Sequence, residues 1–319
     1  MSQTRAIVTA SAKGRGRDGG TTGRINAQGR RVAIGMVAPA MILMILVAVV
    51  PIGYAIWLSL NQYSRITPGL SRFVGFGNYL DALGSQEWWG AMGFTFAIAF
   101  ISVPLQLVVG TGLALLLNLA FKGRAILRSV LLMPYAVLTV VSALIWQTMF
   151  DPHLGLVTTV LRALGLPGGD TIWLADPGLV LIIIIVAEIW KTAPFVALLV
   201  LAGLQVIPSD VFEASAMDGA TRWQTFWRIT LPLLAPAIAV AGILRLLDAL
   251  RIFDLPYVFT RGANGTSTMS IIAYDTLREN RLTGEGSALS MMVFVVVMAV
   301  ALIYLRFAGG NLRKIAKEG

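Results

Sequence analysis

Residues 207–232 read IPSDVFEASAMDGATRWQTFWRITLP. This is a polar, amphipathic interruption between two long apolar runs, about 178–206 before it and about 231–254 after it. Asp210, with Glu213 three positions on, has the form of a capping box opening a short helix. Pro208 suits the turn into that helix. Val211, Phe212, Ala216 and Met217 supply its apolar positions, and Gly219 permits a sharp change of backbone direction after it. A second helix is expected next, with Trp223, Phe226 and Trp227 on one side and Arg222 and Arg228 as its charges. The whole makes a compact knob available to another molecule. The residues alone also leave open an ordinary interfacial loop whose aromatics sit at headgroup level.

The flanking runs set the class. Of the 319 residues, 57% are hydrophobic and 13% charged, against about 25% charged in typical soluble domains. Mean hydropathy is +0.78. Apolar runs occupy about 32–60, 91–120, 129–150, 178–206, 231–254 and 287–307, each long enough to approach or cross ~30 Å of hydrocarbon. The expected fold class is an all-α polytopic membrane protein with six transmembrane helices. Pro39 and Pro51 inside the first run are tolerable where neighbours satisfy the freed carbonyls. Cysteine is absent and His153 is the one histidine, which excludes a disulfide framework, thiol chemistry and a Cys/His metal centre. No Gly-x-x-x-x-Gly-Lys-Ser/Thr run occurs, so the chain lacks the phosphate loop needed to hydrolyse ATP in the usual way. No catalytic residue, metal or cofactor is expected in the chain itself.

The formal net charge of +9 does not point to nucleic acid, because its distribution follows topology. Arg5, Lys13, Arg15, Arg17, Arg24, Arg30 and Arg31 crowd residues 1–31, a Gly/Ser/Thr-rich stretch without periodicity. It reads as a disordered cytoplasmic tail able to touch anionic lipid, not as a cleavable signal peptide. With the N-terminus inside, segments 1–31, 121–128, 207–230 and 306–319 carry 16 Lys and Arg, and segments 61–90, 151–177 and 255–286 carry 6. That bias predicts both ends in the cytoplasm, with 207–230 on the same side. Residues 32–310 then form the membrane domain and 311–319 a short cytoplasmic tail.

Glu213-Ala214-Ser215, Gly219 and Ile229-x-Leu231-Pro232 together resemble the EAA loop of binding-protein-dependent ABC importers, with Ser215 in place of the second Ala. Other segments are similar to the carbohydrate-importing branch of that family. They are Phe73-Val74-Gly75-Phe76-Gly77-Asn78-Tyr79, Trp190-Lys191-Thr192-Ala193-Pro194-Phe195, Phe253-Asp254-Leu255-Pro256-Tyr257-Val258 and the Gly-rich Gly262–Thr268, where Ala263-Asn264 replaces the usual Gly-Pro. The overall run most resembles mycobacterial trehalose importers. The resemblance spans about 32–310 and implies a type I permease fold. It further implies an alternating-access path for a carbohydrate (a disaccharide such as trehalose), a second permease subunit, two ATPase subunits holding ATP and Mg, and an extracytoplasmic solute-binding protein. It also places the ATPase contact on Asp210, Phe212, Glu213, Ala214, Ser215, Met217, Asp218, Gly219 and Ala220. Another solute such as glycerol phosphate, or a self-contained carrier or channel, stays open as an alternative.

Ionisable groups inside spans are costly and often functional. Glu188 and Lys191 are three apart, so they share a helix face and can pair. Arg245, Asp248, Arg251 and Asp254 alternate in sign at the same spacing, which brings neighbours together without forming one stripe. With Trp190, Phe253 and Tyr257 they form a candidate sugar path, since sugars need hydrogen-bonding groups and a flat apolar face. The competing reading is structural: ion pairs that steady the bundle.

Overall fold

The computed structural model describes residues 21–66, 69, 71–119 and 122–318. The chain divides into two units, residues 1–54 and 55–319. In its described part the first unit is helix α1 (Thr21–Ser59) as far as Tyr54. From Ile34 onward α1 is a 26-residue apolar helix, and none of its most apolar stretch is buried. Of the disordered tail expected over 1–31, residues 1–20 lie outside the described residues. Residues 21–31 are helical instead, since nucleation is the costly step and an existing helix extends readily through Ala27, Gln28 and Arg30.

In the second unit, the end of α1 leads to a two-residue ladder, β1 (Asn61–Gln62) against β2 (Arg72–Phe73), antiparallel. Helix α2 (Gly77–Gly84) follows. Asn78 Nδ2 donates to the carbonyls of Ser59 (2.7 Å) and Asn61 (3.1 Å), and Tyr79 Oη lies 2.6 Å from Ser59 Oγ. Within the Phe-Val-Gly-x-x-Asn-Tyr segment, Asn78 thus satisfies carbonyls at the end of α1, while Tyr79 holds the Ser59 hydroxyl.

Helices α3 (Gln86–Asn118) and α7 (Pro177–Val206) form the axis of the bundle. They approach closely at Gly110, where a methyl group would lie 2.5 Å from Val196 Cβ, the small-residue contact that lets membrane helices pack without voids. Asp176 caps α7, accepting from Leu179 N at 3.0 Å. Between α3 and α7 come α4 (Arg124–Ala136), α5 (Thr139–Met149) and α6 (Leu156–Ala163). The third span, expected as one helix over 129–150, is instead α4 and α5 bent by 92°. Pro134 has no N–H to donate and crowds the preceding turn; Val137 and Leu138 are then extended, with ψ of 135° and 139°.

After α7 come α8 (Ser209–Met217), α9 (Arg222–Thr225), one π turn (Phe226–Thr230), α10 (Leu231–Ala249), α11 (Asp254–Thr260), α12 (Met269–Arg278) and α13 (Thr283–Glu318). Arg222–Thr260 forms one apolar span and Thr283–Ala308 the last, making five candidate spans among the described residues, or six with the bent pair. The short tail expected at 311–319 continues α13 through Glu318. One core cluster joins Ile98, Ala143, Ile184 and Leu255; another joins Leu117, Val200, Leu204 and Leu234. Both draw on α3 and α7.

Candidate functional site: a coupling knob and a buried charge network

The knob is built by its own backbone. Helix α8 ends in a Schellman turn: Ala220 N donates to Ser215 O (3.0 Å) and Gly219 N to Ala216 O (3.1 Å), with Gly219 at φ +72°. That left-handed position is what glycine supplies without strain. The capping box expected at Asp210 and Glu213 is absent. Helix α8 starts one residue earlier, at Ser209, with Pro208 as its N-cap and no side-chain cap bond. Asp210 therefore lies inside the first turn, where its charge favours the positive helix end. The capping box belongs to the next helix: Thr221 Oγ1 accepts from Gln224 N (3.3 Å), and Thr221 N donates to Gln224 Oε1 (2.8 Å). Ser215 is buried and sits 3.2 Å from Thr225 Oγ1, so the residue that departs from Ala ties the two limbs together. Phe212 is half-buried; Asp210, Glu213, Ala214, Met217, Asp218 and Gly219 are exposed, Met217 at 89%. Trp223 and Trp227 stack edge-to-face at 5.5 Å beside them.

Deep in the bundle the structure re-sorts the charges. Glu188 and Lys191 form no ion pair. Arg245 takes Glu188 instead, Nη2 to Oε2 at 3.1 Å, with both side chains under 10% exposed. The same guanidinium donates through Nε to Gln106 Oε1 (2.9 Å) and through Nη1 to Asp248 Oδ2 (3.1 Å). Arg251 Nη2 lies 3.6 Å from the other Asp248 oxygen. Arginine wins over lysine because its planar fork reaches three acceptors from three directions. Lys191 serves the broken span: its Nζ donates to Val137 O at 2.8 Å, meeting a carbonyl that the 92° bend frees from a helical partner. Asp254 stands in the first turn of α11, in no ion pair among the described residues. Trp190 packs on Trp146 at 5.9 Å, edge to face. Phe253 and Tyr257 stack at 4.8 Å, with Tyr274 against both. An open cavity of about 360 Å³ adjoins Arg251, Phe253, Tyr274 and Ser290.

Gln106 and Tyr274 were not among the expected site residues. A glutamine within an otherwise apolar span is a signal that could have singled out Gln106; nothing in the sequence distinguishes Tyr274. Outside the spans, burial raises the carboxyl of Asp275, and the like charges of Glu279 and Glu87 raise it further. Among the described residues no group of three or more His, Asp or Glu side chains could hold a metal.

Long apolar helices around a neutralised charge network, with one rigid polar knob between two spans, define a multi-pass membrane transport component. The chain belongs to the family described as binding-protein-dependent transport system inner membrane component, whose profile matches residues 76–312. It is thus a permease subunit of an ABC importer, not an enzyme, and a multi-pass inner-membrane protein. It is 40% identical over 280 residues to the trehalose transport system permease protein SugA of Mycobacterium tuberculosis, covering 88% of this chain and 89% of that one. It is 38% identical over 291 residues to the trehalose/maltose transport system permease protein MalF of Thermococcus litoralis (91% and 97% covered). It is also 40% identical over 282 residues to the sulfoquinovosyl glycerol transport system permease protein SmoG of Agrobacterium fabrum (87% and 90%). A chain of a bacterial alginate ABC transporter, solved with an alginate pentasaccharide-bound periplasmic protein, superposes with a TM-score of 0.78 at 22% identity, covering 90% of this chain and 97% of that one. That likeness shows the type I permease fold.

Proposed function

We propose that this subunit carries a neutral carbohydrate, a disaccharide such as trehalose, inward by alternating access. A second permease chain closes the path, two ATPase subunits bind ATP and Mg beneath, and an extracytoplasmic binding protein delivers the sugar. Both ends of the chain and residues 207–230 face the cytoplasm. The observation that carries this reading is the α8 knob: a helix too short to stand alone, closed at its C-terminus by the Gly219 turn, tied through Ser215 to the next limb, and presenting Glu213 and Met217 outward. Such an element transmits a push from a partner as a rigid body. The path charges support a neutral solute, since Lys191, Arg245 and Arg251 balance Glu188, Asp248 and Asp254.

The test is uptake of [14C]trehalose by cells lacking the chain and by cells complemented with it. Purification of the tagged chain, with co-eluting chains identified, is the second arm. Expected are energy-dependent uptake only in complemented cells, competition by unlabelled disaccharides over glycerol 3-phosphate or sulfoquinovosyl glycerol, and co-elution of a chain with a phosphate loop. Uptake without any such partner would establish a self-contained carrier instead.

A further inference from the structure

The two limbs of the knob carry opposite charge. Residues 209–218 hold Asp210, Glu213 and Asp218 and no Lys or Arg, whereas 222–230 hold Arg222 and Arg228 and no Asp or Glu. All five of these side chains are exposed. The limbs are joined through Gly219 and tied by the Ser215–Thr225 contact at 3.2 Å, so one does not turn without the other. A surface of uniform charge cannot suit both. The acidic limb fits a basic protein surface, and the basic limb calls for an anionic one.

The basic limb is also aromatic. Each arginine adjoins a tryptophan in sequence, Arg222-Trp223 and Trp227-Arg228. Trp223 is 70% exposed and Trp227 49%, and their rings meet edge to face. Phe226 adds a second edge contact to Trp227 at 5.2 Å. Neither indole belongs to a core cluster. Their depth follows from the helix they open, since Arg222 is the first residue of the apolar span Arg222–Thr260. From Trp227 to the end of α10 at Ala249 a helix rises about 33 Å, close to the thickness of the hydrocarbon core. With Ala249 at one boundary, Trp227 stands at the other, and Trp223 lies about 6 Å beyond it, among the headgroups. Tryptophan favours that depth because its ring is apolar and its N–H polar. A guanidinium beside it matches phosphate with two parallel hydrogen bonds.

We infer that the second limb, residues 222–228, docks on anionic phospholipid headgroups of the cytoplasmic leaflet and so sets the height at which the acidic limb is held for the ATPase. The arginines take phosphate oxygens, and the tryptophan pair seats at the boundary between headgroups and acyl chains. This rests on the orientation and the ATPase partner proposed above. It divides the knob by chemistry: α8 faces protein, and α9 with the π turn faces lipid.

The full chain, purified with its co-eluting partners, is reconstituted in vesicles of phosphatidylcholine with or without phosphatidylglycerol. The quencher is lipid brominated near the headgroup end of its acyl chains, compared with lipid brominated near the terminal methyl. The signal is the tryptophan emission lost in Trp223→Phe with Trp227→Phe relative to wild type. Expected is quenching of that signal by the shallow bromines and little by the deep ones. Its preference for brominated phosphatidylglycerol over brominated phosphatidylcholine should fall about fivefold for each of Arg222→Gln and Arg228→Gln, measured in both tryptophan backgrounds. Trp223→Ala with Trp227→Ala should retain as much ATPase in detergent as wild type, where Glu213→Ala retains less. A signal that neither bromine position quenches puts the indoles against protein or water and overturns the inference. So does an unchanged lipid preference in the arginine variants, or a loss of ATPase in the double alanine variant equal to that in Glu213→Ala. Absence of any co-eluting ATPase overturns the proposed function instead, and the quenching result then judges the lipid contact by itself.

Discussion

Gly219→Val tests whether backbone geometry, not side-chain contact, makes the knob work. An ideal Cβ at Gly219 meets nothing within 4 Å in this chain, so no internal clash is created. What changes is the cost of φ +72°. An L-residue there loses about 1–2 kcal/mol, and a β-branched one falls at the upper end or beyond. If the backbone escapes to negative φ instead, it forfeits the bonds from Gly219 N to Ala216 O and from Ala220 N to Ser215 O. At about 0.5–1.5 kcal/mol net each, that route costs about 1–3 kcal/mol. Both routes converge near 2 kcal/mol, which shifts the ratio of formed to unformed knob about 30-fold. Asn tolerates the left-handed region and should cost least, Ala more, Val most. The assay is maximal [14C]trehalose uptake per inserted chain, together with the amount of ATPase retained on purification. Expected is a graded loss in the order Asn, Ala, Val, with insertion preserved. Equal loss in all three would mean that space at the partner, not φ, is limiting, and wild-type behaviour of the Val variant would mean the turn is dispensable; either refutes the reasoning.

Glu213→Ala leaves the fold of α8 untouched, since Glu213 is exposed and caps nothing; it should lower ATPase retention and uptake without changing chain yield, as read by co-purification. Arg245→Gln strands Glu188 in the bundle and should destabilise the chain by about 3–5 kcal/mol, seen as a lower melting temperature in detergent, with partial recovery in Arg245→Gln with Glu188→Gln. Lys191→Met removes the donor to Val137 O and should cost about 1–3 kcal/mol, again read as a shift in melting temperature, with Lys191→Arg closer to wild type. Asp275 has its carboxyl raised by burial and then by Glu279 and Glu87. Its stabilising share is present in the protonated form at low pH and is lost as pH rises through the elevated value. Asp275→Asn should therefore be more stable than wild type near pH 7 and indistinguishable below about pH 4, as thermal unfolding against pH would show. A single cysteine at Ser209 in this cysteine-free chain should react with an impermeant thiol reagent only after the membrane is opened; labelling in intact cells would reverse the proposed orientation.

Composition and the apolar runs are sufficient to determine that this chain is a helical membrane protein, because burying unpaired backbone in hydrocarbon leaves few other options. The order Glu213-Ala214-Ser215, Gly219, Ile229-x-Leu231-Pro232 is likewise sufficient to locate the knob and its turn, since the turn rests on bonds between residues at most five apart and the tie between the limbs spans only ten. Local grammar was less reliable for helix starts: Asp210-x-x-Glu213 fits a capping box as well as Thr221-x-x-Gln224 does, and only the backbone distinguishes them. The charge partners were beyond it altogether. Glu188 is three residues from Lys191 and 57 from Arg245, yet it bonds the distant one, because packing of α3, α7 and α10 brings a three-way guanidinium fork within reach. Lys191 is drawn the other way by a carbonyl freed at a bend 54 residues earlier in the chain. Sequence by itself therefore determined what was local or compositional: the class, most of the spans and the knob. Which charge neutralises which, that the third span is bent, and that Asp248 stays open while Arg245 is sealed were decided only by tertiary structure, since each depends on distances between helices that no spacing along the chain encodes.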